Sequence, residues 1–379
     1  MTEKLYYKNA YIKDFSACVL SVTEANDGYD VVLDKTAFFP EEGGQSSDTG
    51  KIGDANVSYV YECDGIVHHI TDRFLEVGSY ECQVDFEERF EKMQCHTAEH
   101  ILCGIIHRLF GLDNVGFHLG ADEVTFDVNG VLTREDLDKV EELANNSVFS
   151  NLSVNTYFPT AEELSSIEYR AKLDITEGVR LVEIEGVDTC ACCAPHVSKT
   201  GEIGLIKILD FMKHRGGTRI WMVAGKRALT DYRARYDNIK RISAMLCTPQ
   251  LETADTLEGY IKESESAKLS LKQARLKIAE LEAQKVQKTD GNAVFLLEDF
   301  TIPELIAFSN IANEKISGIL VALSGQDEDF KYVISSTSVD LRLLSKEINS
   351  ALLGRGGGRP EMIQGSFGAS LTQIREYFK

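Results

Sequence analysis

Two histidines and a later cysteine–histidine pair constrain this chain more than any other feature of its sequence. His96 and His100 stand four positions apart in a helical stretch, so both imidazoles project from one face and can reach one ion. The later segment Cys190–His196 brings Cys192 and His196 together in a turn that contains proline. Because imidazole and thiolate are the ligands of tetrahedral zinc, the two segments together predict one zinc site.

The choice of cysteine and the use of the metal stay open on these residues alone. Cys192 is preferred because it stands four positions before His196, while Cys190 and Cys193 are alternatives. The first segment also spells His-x-x-Glu-His, the inverted zinc-peptidase motif, in which Glu99 would be the general base. A peptidase needs three protein ligands and an open position, whereas the cysteine–histidine pair raises the number of protein ligands to four.

Length and composition favour a globular protein of two or three domains. The chain has 379 residues, of which 43% are hydrophobic. Its N-terminus lacks the apolar region of a signal peptide, and no apolar run approaches the ~18 residues of a membrane span, which predicts a cytoplasmic protein without membrane attachment. Nine cysteines, an odd number, fit reduced thiols and a metal site better than disulfides.

The distribution of charge points to a polyanion as partner. A net charge of −20 argues against nucleic acid, because phosphate binding draws its affinity from Lys and Arg. The segment 199–241 is nevertheless rich in bases, among them Lys213, Arg215 and Arg219, and it directly follows the Cys/His turn. A solvated face is the commoner interpretation of a charge run, but its place beside a metal site favours a polyanion whose reactive end reaches the zinc.

The order of periodic segments predicts an α+β fold of four parts. Short β-rich runs separated by turn residues indicate a small antiparallel β-barrel over 1–88. A helix over Glu87–Phe110 opens a mixed α+β zinc-binding domain over 89–225, with a second helix over 134–150. The segments 226–288 and 289–379 are expected to form a helical linker and an α/β domain.

The linker and the last domain each contain one ambiguous pattern. Apolar and small residues from Leu257 to Leu281 alternate steps of three and four, which makes a short heptad seam. That coiled segment either folds back as an antiparallel hairpin or associates with a second copy. In the last domain, Gly356, Gly357 and Gly358 stand between Arg355 and Arg359. This glycine-rich loop suits either the close approach of a phosphate or ordinary flexibility.

Four separated motifs of the chain resemble those of the alanyl-tRNA editing proteins, the free-standing AlaX type related to the editing domain of alanyl-tRNA synthetase. They cover nearly the whole chain and are Leu33–Gln45 with Ser47–Gly50, His96–His100, Cys192–His196 with Thr200–Gly204, and Gly356–Met362. The last motif is similar to the C-terminal domain that alanyl-tRNA synthetase shares with DHH-type phosphoesterases. The chain therefore resembles the long form of the free-standing editors.

Two motifs depart from the family's pattern. Free-standing members often have three glycines before the glutamine, where this chain has Glu42-Gly43-Gly44-Gln45. The family usually has Cys-Gly-Gly-Thr-His, where this chain has Cys192-Cys193-Ala194-Pro195-His196. The ligand positions are kept, while the residues between them differ.

The resemblance implies an aminoacyl-tRNA deacylase that acts in trans for translation fidelity. Its partner would be alanine tRNA that carries serine or glycine, its cofactor zinc, and a homodimer through the helical or C-terminal region is a further expectation. Thr36 is expected to bond the serine hydroxyl, and Gln45 to position water or the substrate carbonyl. Two alternatives stay open: the zinc peptidase with Glu99 as base, and a non-catalytic tRNA-binding module with structural zinc.

Overall fold

The computed structural model describes residues 1–120, 123–171 and 178–379 of the chain. The chain divides into two compact units, Met1–Ile239 and Lys240–Lys379. Helices and sheets occur in both units, so the predicted α+β class is confirmed. The finer division into four domains stays a prediction. In the part of the chain that the structure describes, no helix combines the length and the apolar composition of a membrane span.

The N-terminal unit begins with a ring of six strands. The strands up to residue 84 are β1 Glu3–Lys4, β2 Asp14–Ala25, β3 Gly28–Leu33, β4 Lys35–Thr36, β5 Gly50–Ile52, β6 Ala55–Cys63, β7 Ile66–Thr71 and β8 Gly78–Val84. The ring order is β2-β3-β7-β6-β5-β8, and it closes because β8 also pairs with β2, while β1 and β4 form a separate parallel pair. Successive side chains of a strand point to opposite faces, so β7 buries Val67, His69 and Thr71 inside the ring.

A long helix, α1, spans Phe86–Phe110 after the ring. It begins at Asp85, whose carboxylate accepts a hydrogen bond from the backbone N–H of Glu88. It ends at Gly111, whose φ of 64° lies in the left-handed region that glycine adopts without steric cost. Every residue from Lys92 to Ile106 is buried, so the helix carries His96 and His100 inside the protein.

Two further sheets and three helices complete the N-terminal unit up to α4. They are β9 Asn114–Leu119, β10 Val124–Val128, α2 Arg134–Phe149, β11 Val154–Tyr157, α3 Ala161–Leu164, β12 Leu181–Ile184, β13 Asp188–Ala191, a 3-10 turn Thr200–Ile203, β14 Ile206–His214, β15 Gly217–Ala224 and α4 Gly225–Leu246. The sheets have the orders β14-β15-β10-β9 and β11-β12-β13. Apolar side chains of α1, α2 and both sheets share one core, which fixes α1 beside the end of β13.

The C-terminal unit is a five-stranded sheet with helices on both faces. Its elements are α5 Thr253–Lys285, β16 Ala293–Leu296, α6 Ile302–Ala312, β17 Ile319–Gln326, β18 Asp329–Ser336, α7 Leu341–Ala351, β19 Arg355–Arg359, β20 Met362–Phe367 and α8 Leu371–Tyr377. The order is β16-β17-β18-β20-β19. Along β17, Leu320 and Ala322 pack with α5 and α6, whereas Val321 and Leu323 pack with α7 and α8. The alternation follows from the two faces of a strand.

The heptad seam of α5 lies largely on the surface. Leu257, Tyr260 and Leu271 have between 48% and 62% of their surface exposed. The helix instead packs on α6 through Ala279 and Ala283, which lie off the predicted seam. The choice between a hairpin and self-association stays a prediction.

The glycine-rich segment is a strand, where the sequence predicted a loop. β19 lies at the edge of the sheet and pairs with β20 from Arg355 opposite Ser366 to Arg359 opposite Met362. A Cβ on Gly356 would lie 2.3 Å from the carbonyl oxygen of Gln364, so the two strands approach too closely for any side chain there. A backbone held in a ladder is neither the phosphate cradle nor the flexible loop that the sequence suggested.

Candidate metal centre

The two predicted half-sites meet in the interior of the N-terminal unit. Helix α1 supplies His96 and His100, and the loop after β13 supplies Cys192 and His196, with one ligand atom of each within 4.8 Å of all the others. The Cys192 Sγ lies 3.5 Å from the His96 Nε2 and 3.4 Å from the His196 Nε2. Three imidazole nitrogens and one sulfur at this mutual distance match the donor chemistry of a tetrahedral zinc site.

Neighbouring side chains fix the tautomers of two of these histidines. The His96 Nδ1 lies 2.8 Å from the Gln45 Oε1, which is an acceptor, so this nitrogen carries the proton and Nε2 keeps its lone pair. The His196 Nδ1 lies 3.0 Å from the Thr97 hydroxyl, which donates its own proton to the Met93 carbonyl. His196 must therefore donate from Nδ1, and its Nε2 is also left as a lone pair facing Cys192.

The third histidine faces a buried carboxylate. The His100 Nδ1 lies 3.6 Å from Asp188 Oδ2, slightly beyond hydrogen-bond distance, and forms no hydrogen bond. Asp188 accepts two hydrogen bonds of 2.7 Å from the guanidinium of Arg170. Arg170 therefore holds the carboxylate beside the imidazole, close to the position from which a carboxylate can orient a histidine ligand.

Of the three neighbouring cysteines, Cys192 has the environment of a thiolate. Burial is the largest single influence and raises the pKa of Cys192, but His96, His196 and His100 together lower it, so that its pKa falls well below the ordinary value. Burial raises the pKa of Cys190 to about 11 and also raises that of Cys193, so both favour the neutral thiol. Cys190 lies in a second buried group with His100 and Asp188, outside the set of four.

Gln45 and Glu99 lie beside the centre, although in different roles. Gln45 is fully buried, and its Nε2 has no hydrogen-bond partner while its Oε1 holds His96. The Glu99 Oε1 accepts hydrogen bonds from the Asn114 amide and the Cys103 thiol. Gln45 thus has two N–H protons to give, whereas Glu99 is already engaged with its own neighbours.

Thr36 lies inside the strand ring and away from the pocket wall. Its hydroxyl lies 2.9 Å from the His69 Nε2 and accepts a hydrogen bond from the Phe38 backbone N–H. Burial lowers the pKa of His69 to about 4, so the imidazole is neutral. Its Nδ1 lies 3.0 Å from the Val31 carbonyl and must donate there, so Nε2 accepts the proton of Thr36.

A pocket of about 830 Å³ opens beside the four donors. The residues that line it include His96, His100, Cys192, Glu99, Asp188 and Arg170. Three of the four donors, His96, His100 and Cys192, thus form part of the wall of a cavity large enough for an organic ligand.

The predicted RNA-binding bases differ in their surroundings. Lys213 and Arg215 are exposed at the end of β14 and in the turn that follows. Arg219 instead makes two hydrogen bonds, of 2.7 and 2.8 Å, to the Asp127 carboxylate on the neighbouring strand, so its charge is neutralised. In the C-terminal unit, Arg355 and Arg359 are exposed at the two ends of β19.

Three residues around the centre escaped the sequence reasoning. Thr97 lies within the His96–His100 motif, but its part is visible only once His196 is known to face it. Asp188 precedes the cysteines by two positions, and a carboxylate so close to a ligand segment was the one available signal. Arg170 has no local signal, because its role depends on the fold that brings it to Asp188.

Comparison with known proteins shows similarity to alanine–tRNA ligases and to an alanyl-tRNA editing protein. The family described as "Threonyl and Alanyl tRNA synthetase second additional domain" matches residues 179–243. The alanyl-tRNA editing protein AlaX-L of Pyrococcus horikoshii is 28% identical, over 99% of this chain and 96% of its own length. The alanine–tRNA ligases of Ignicoccus hospitalis and Halobacterium salinarum are 30% and 33% identical, over 94% and 86% of this chain.

The extent of these matches differs between relatives. The chain spans 40% and 38% of the length of the two ligases. Among solved structures, the C-Ala domain of Aquifex aeolicus alanyl-tRNA synthetase aligns with 23% of this chain, at 18% identity and a TM-score of 0.21.

Proposed function

We propose, from its similarity to an alanyl-tRNA editing protein and to alanine–tRNA ligases, that the chain hydrolyses the ester bond of alanine tRNA that carries the wrong amino acid. The observation that carries the proposal is the clustered set of His96, His100, Cys192 and His196, of which the first three line a ligand-sized pocket. The reaction is an aminoacyl-ester hydrolysis in trans, and its biological result is fidelity of translation.

The substrates of this reaction are alanine tRNAs that carry serine, and also those that carry glycine. A pocket built for alanine cannot strongly reject the smaller glycine or a side chain that merely adds a hydroxyl. Synthesis therefore produces both errors, and a separate hydrolytic site has to remove them.

Zinc is the cofactor that these residues fit best. The donor set is one thiolate and three imidazoles, and two of the imidazoles hold their lone pairs on the nitrogens that lie within 3.5 Å of the Cys192 sulfur. When bound, zinc would supply positive charge that binds and polarises an oxygen of the substrate or of water.

Gln45 and Thr36 are the residues that we assign to the substrate. Gln45 holds His96 through its oxygen, and its amide N–H groups would donate to the substrate carbonyl or to the attacking water. Thr36 would recognise the serine hydroxyl. For this, the Thr36 O–H would have to turn away from the His69 Nε2 and donate its hydrogen bond to the substrate. Alanine has no side-chain hydroxyl, so correctly charged tRNA would form no hydrogen bond with Thr36.

RNA affinity is assigned to exposed bases in each unit. Lys213 and Arg215 are exposed and would contact phosphates, whereas Arg219 would first have to break its ion pair with Asp127. In the C-terminal unit, the exposed Arg355 and Arg359 would contact RNA phosphates at the two ends of the edge strand that contains Gly356, Gly357 and Gly358. These exposed bases would attract phosphates locally, although the chain as a whole carries a net charge of −20.

The decisive experiment is deacylation of alanine tRNA charged with serine, glycine or alanine. We expect hydrolysis of the first two and little of the third. Cys192→Ala should lose most of the zinc and reduce hydrolysis to background, because it removes one of four ligands. Cys193→Ala is the matched control, since its neighbouring thiol lies outside the donor set, and it should keep both. Full zinc and activity in Cys192→Ala would refute the assignment.

Two graded variants test the surroundings of the centre. Gln45→Ala leaves the four ligands intact but removes the acceptor that orients His96, and such partners are worth about 10–100-fold in metal affinity or activity. Glu99→Gln should largely spare an editor but abolish a peptidase that used Glu99 as base. Peptide cleavage that disappears with Glu99→Gln would support the peptidase, and the absence of any deacylation would support a binding module.

A further inference from the structure

The pocket beside the metal centre is larger than an amino-acid side chain requires. Its volume of about 830 Å³ lies in the range of roughly 300–1,000 Å³ that accommodates drug-sized ligands. Serine and glycine fill only a small part of such a space. If the centre hydrolyses an aminoacyl ester, as proposed above, the pocket has room for the nucleoside to which the amino acid is attached.

An aromatic pair lies in the wall of this pocket. The ring centroids of Tyr7 and Phe158 are 5.4 Å apart, with their planes at 76°. Tyr7 is crowded, because the Tyr6 ring lies 4.7 Å away and the Lys4 ammonium 5.5 Å from its centroid. Phe158 follows β11 and has 52% of its surface exposed, whereas Tyr7 is half-buried, so Phe158 is the ring of the pair with more surface to offer a ligand.

One side chain connects this aromatic pair to the loop that carries Cys192. The Arg180 guanidinium lies 5.5 Å from the Tyr7 centroid and donates hydrogen bonds to the carbonyls of Cys192 and Ala194. Arg180 is buried, so this bridge is a fixed part of the wall. The aromatic pair therefore stands beside the metal centre, at a separation that one arginine side chain spans.

We propose that Phe158, braced by Tyr7, is the stacking surface for the adenine of the terminal nucleotide of the tRNA, an inference that rests on the proposed function. The scissile ester joins the amino acid to the ribose of that nucleotide, so the base lies one sugar ring away from the reacting carbon. The terminal nucleotides of tRNA are unpaired, and unpaired bases are bound in proteins chiefly by stacking on aromatic side chains. Phe158 therefore positions the substrate and takes no part in the chemistry.

A base analogue tests this contact without catalysis. The probe is an uncharged RNA hairpin of the alanine acceptor stem with 2-aminopurine as its terminal base, whose fluorescence falls on stacking. The wild-type protein should quench it. Phe158→Leu keeps apolar bulk but removes the ring, and should abolish the quenching. Phe158→Tyr should restore it, and Phe149→Ala, at an exposed phenylalanine outside the pocket, should leave it unchanged.

Deacylation kinetics supply the second measurement. Phe158→Leu should raise the apparent KM for serine-charged tRNA roughly 10- to 100-fold, the effect of losing one stacked base, with kcat and zinc content nearly unchanged. Equal quenching by wild type and Phe158→Leu, or a change confined to kcat, would overturn the inference. The two proposals fail separately: quenching without deacylation would refute the editing function alone, and deacylation without quenching would refute the stacking alone.

Discussion

The hydroxyl of Thr36 has one proton to donate, and His69 accepts it. The neutral imidazole donates a hydrogen bond from Nδ1 to the Val31 carbonyl. Its Nε2 accepts a hydrogen bond from Thr36. A role of Thr36 in serine recognition therefore requires an exchange of partners inside the strand ring. At the scale of the residue, such a role would make selectivity and stability depend on the same bond.

Thr36→Val separates the two effects. The variant keeps the shape of the side chain but leaves the buried His69 Nε2 and the Phe38 N–H without a partner, which should lower the free energy of unfolding by about 1–3 kcal/mol. If Thr36 also binds the serine hydroxyl, hydrolysis of serine-charged tRNA should fall about fivefold more than that of glycine-charged tRNA. Urea unfolding and deacylation measure the two.

Thr36→Ser is the control, because it keeps the hydroxyl and loses only a methyl group. It should restore the selectivity and most of the stability. An equal loss on both substrates in Thr36→Val would remove Thr36 from the discriminating role and leave it as an internal contact of the strand ring.

At the scale of the element, helix α6 depends on an ion pair with α5. Glu304 belongs to the capping box with Thr301 at the start of α6 and accepts two hydrogen bonds from Arg275. The Arg275 guanidinium lowers the pKa of Glu304 to about 2, although partial burial opposes the shift. A carboxyl whose pKa falls on folding stabilises the fold above its unfolded pKa, and this contribution disappears as the pH falls through the folded pKa.

Glu304→Gln should therefore destabilise the C-terminal unit at pH 7 by on the order of 1–2 kcal/mol, since Arg275 is partly exposed to solvent. The difference from wild type should shrink as the pH falls from about 4.5 to about 2. Far-ultraviolet circular dichroism in urea measures it, while fluorescence of the single tryptophan, Trp221, reports on the N-terminal unit and should not change. Glu282→Gln, at an exposed pair with Lys285, is the matched control; a pH-independent difference for Glu304→Gln would contradict the mechanism.

Elements with a regular period were predictable from the sequence, and those defined by distant contacts were not. The predicted helix over Glu87–Phe110 differs from α1 by one residue, because its capping and stripe are local signals. The long strand β2 was missed, since most of its residues are exposed and only Ala17 and Val19 are well buried. The β19 glycines suggested a loop because nothing local reveals the partner strand that excludes a side chain at Gly356 and Gly358.

The same distinction holds for the site. The spacing within each half-site indicated His96, His100, Cys192 and His196, since ligand pairs on one turn are a local property. The pairing of Arg219 with Asp127 joins residues 92 positions apart, so no pattern near Arg219 could show that its charge is already neutralised. The contact of Arg170 with Asp188 likewise exists only in the folded chain.

At the scale of the whole molecule, the division into two units suggests a division of labour. The metal donors and the pocket lie in Met1–Ile239, while β19 with its flanking arginines lies in Lys240–Lys379. A chain that ends after Leu246, the last residue of α4, should keep zinc and hydrolyse at saturating tRNA, but with a raised apparent KM. Zinc analysis and steady-state deacylation measure this outcome.

Arg355→Ala with Arg359→Ala in the full chain is the matched comparison. If both side chains contact phosphates, the double variant should also raise the KM and reduce the slope of log binding constant against log salt by about 1–2. Unchanged KM values in both proteins would favour dimerisation as the role of the C-terminal unit. Ultracentrifugation would then show the shortened chain as a monomer and the full chain as a dimer.

The separation of the two half-sites along the chain also sets the order in which the centre is made during synthesis. Cys192 follows His96 by 96 positions, and at roughly 5–20 residues per second the ribosome needs about 5–20 seconds to add them. The strand ring and Gln45 precede α1, so the partner that orients His96 already exists when this helix emerges. His196 is synthesised last, and before then Thr97 lacks the imidazole with which it forms its hydrogen bond. The nascent protein thus prepares one half of its centre before the other half has been translated.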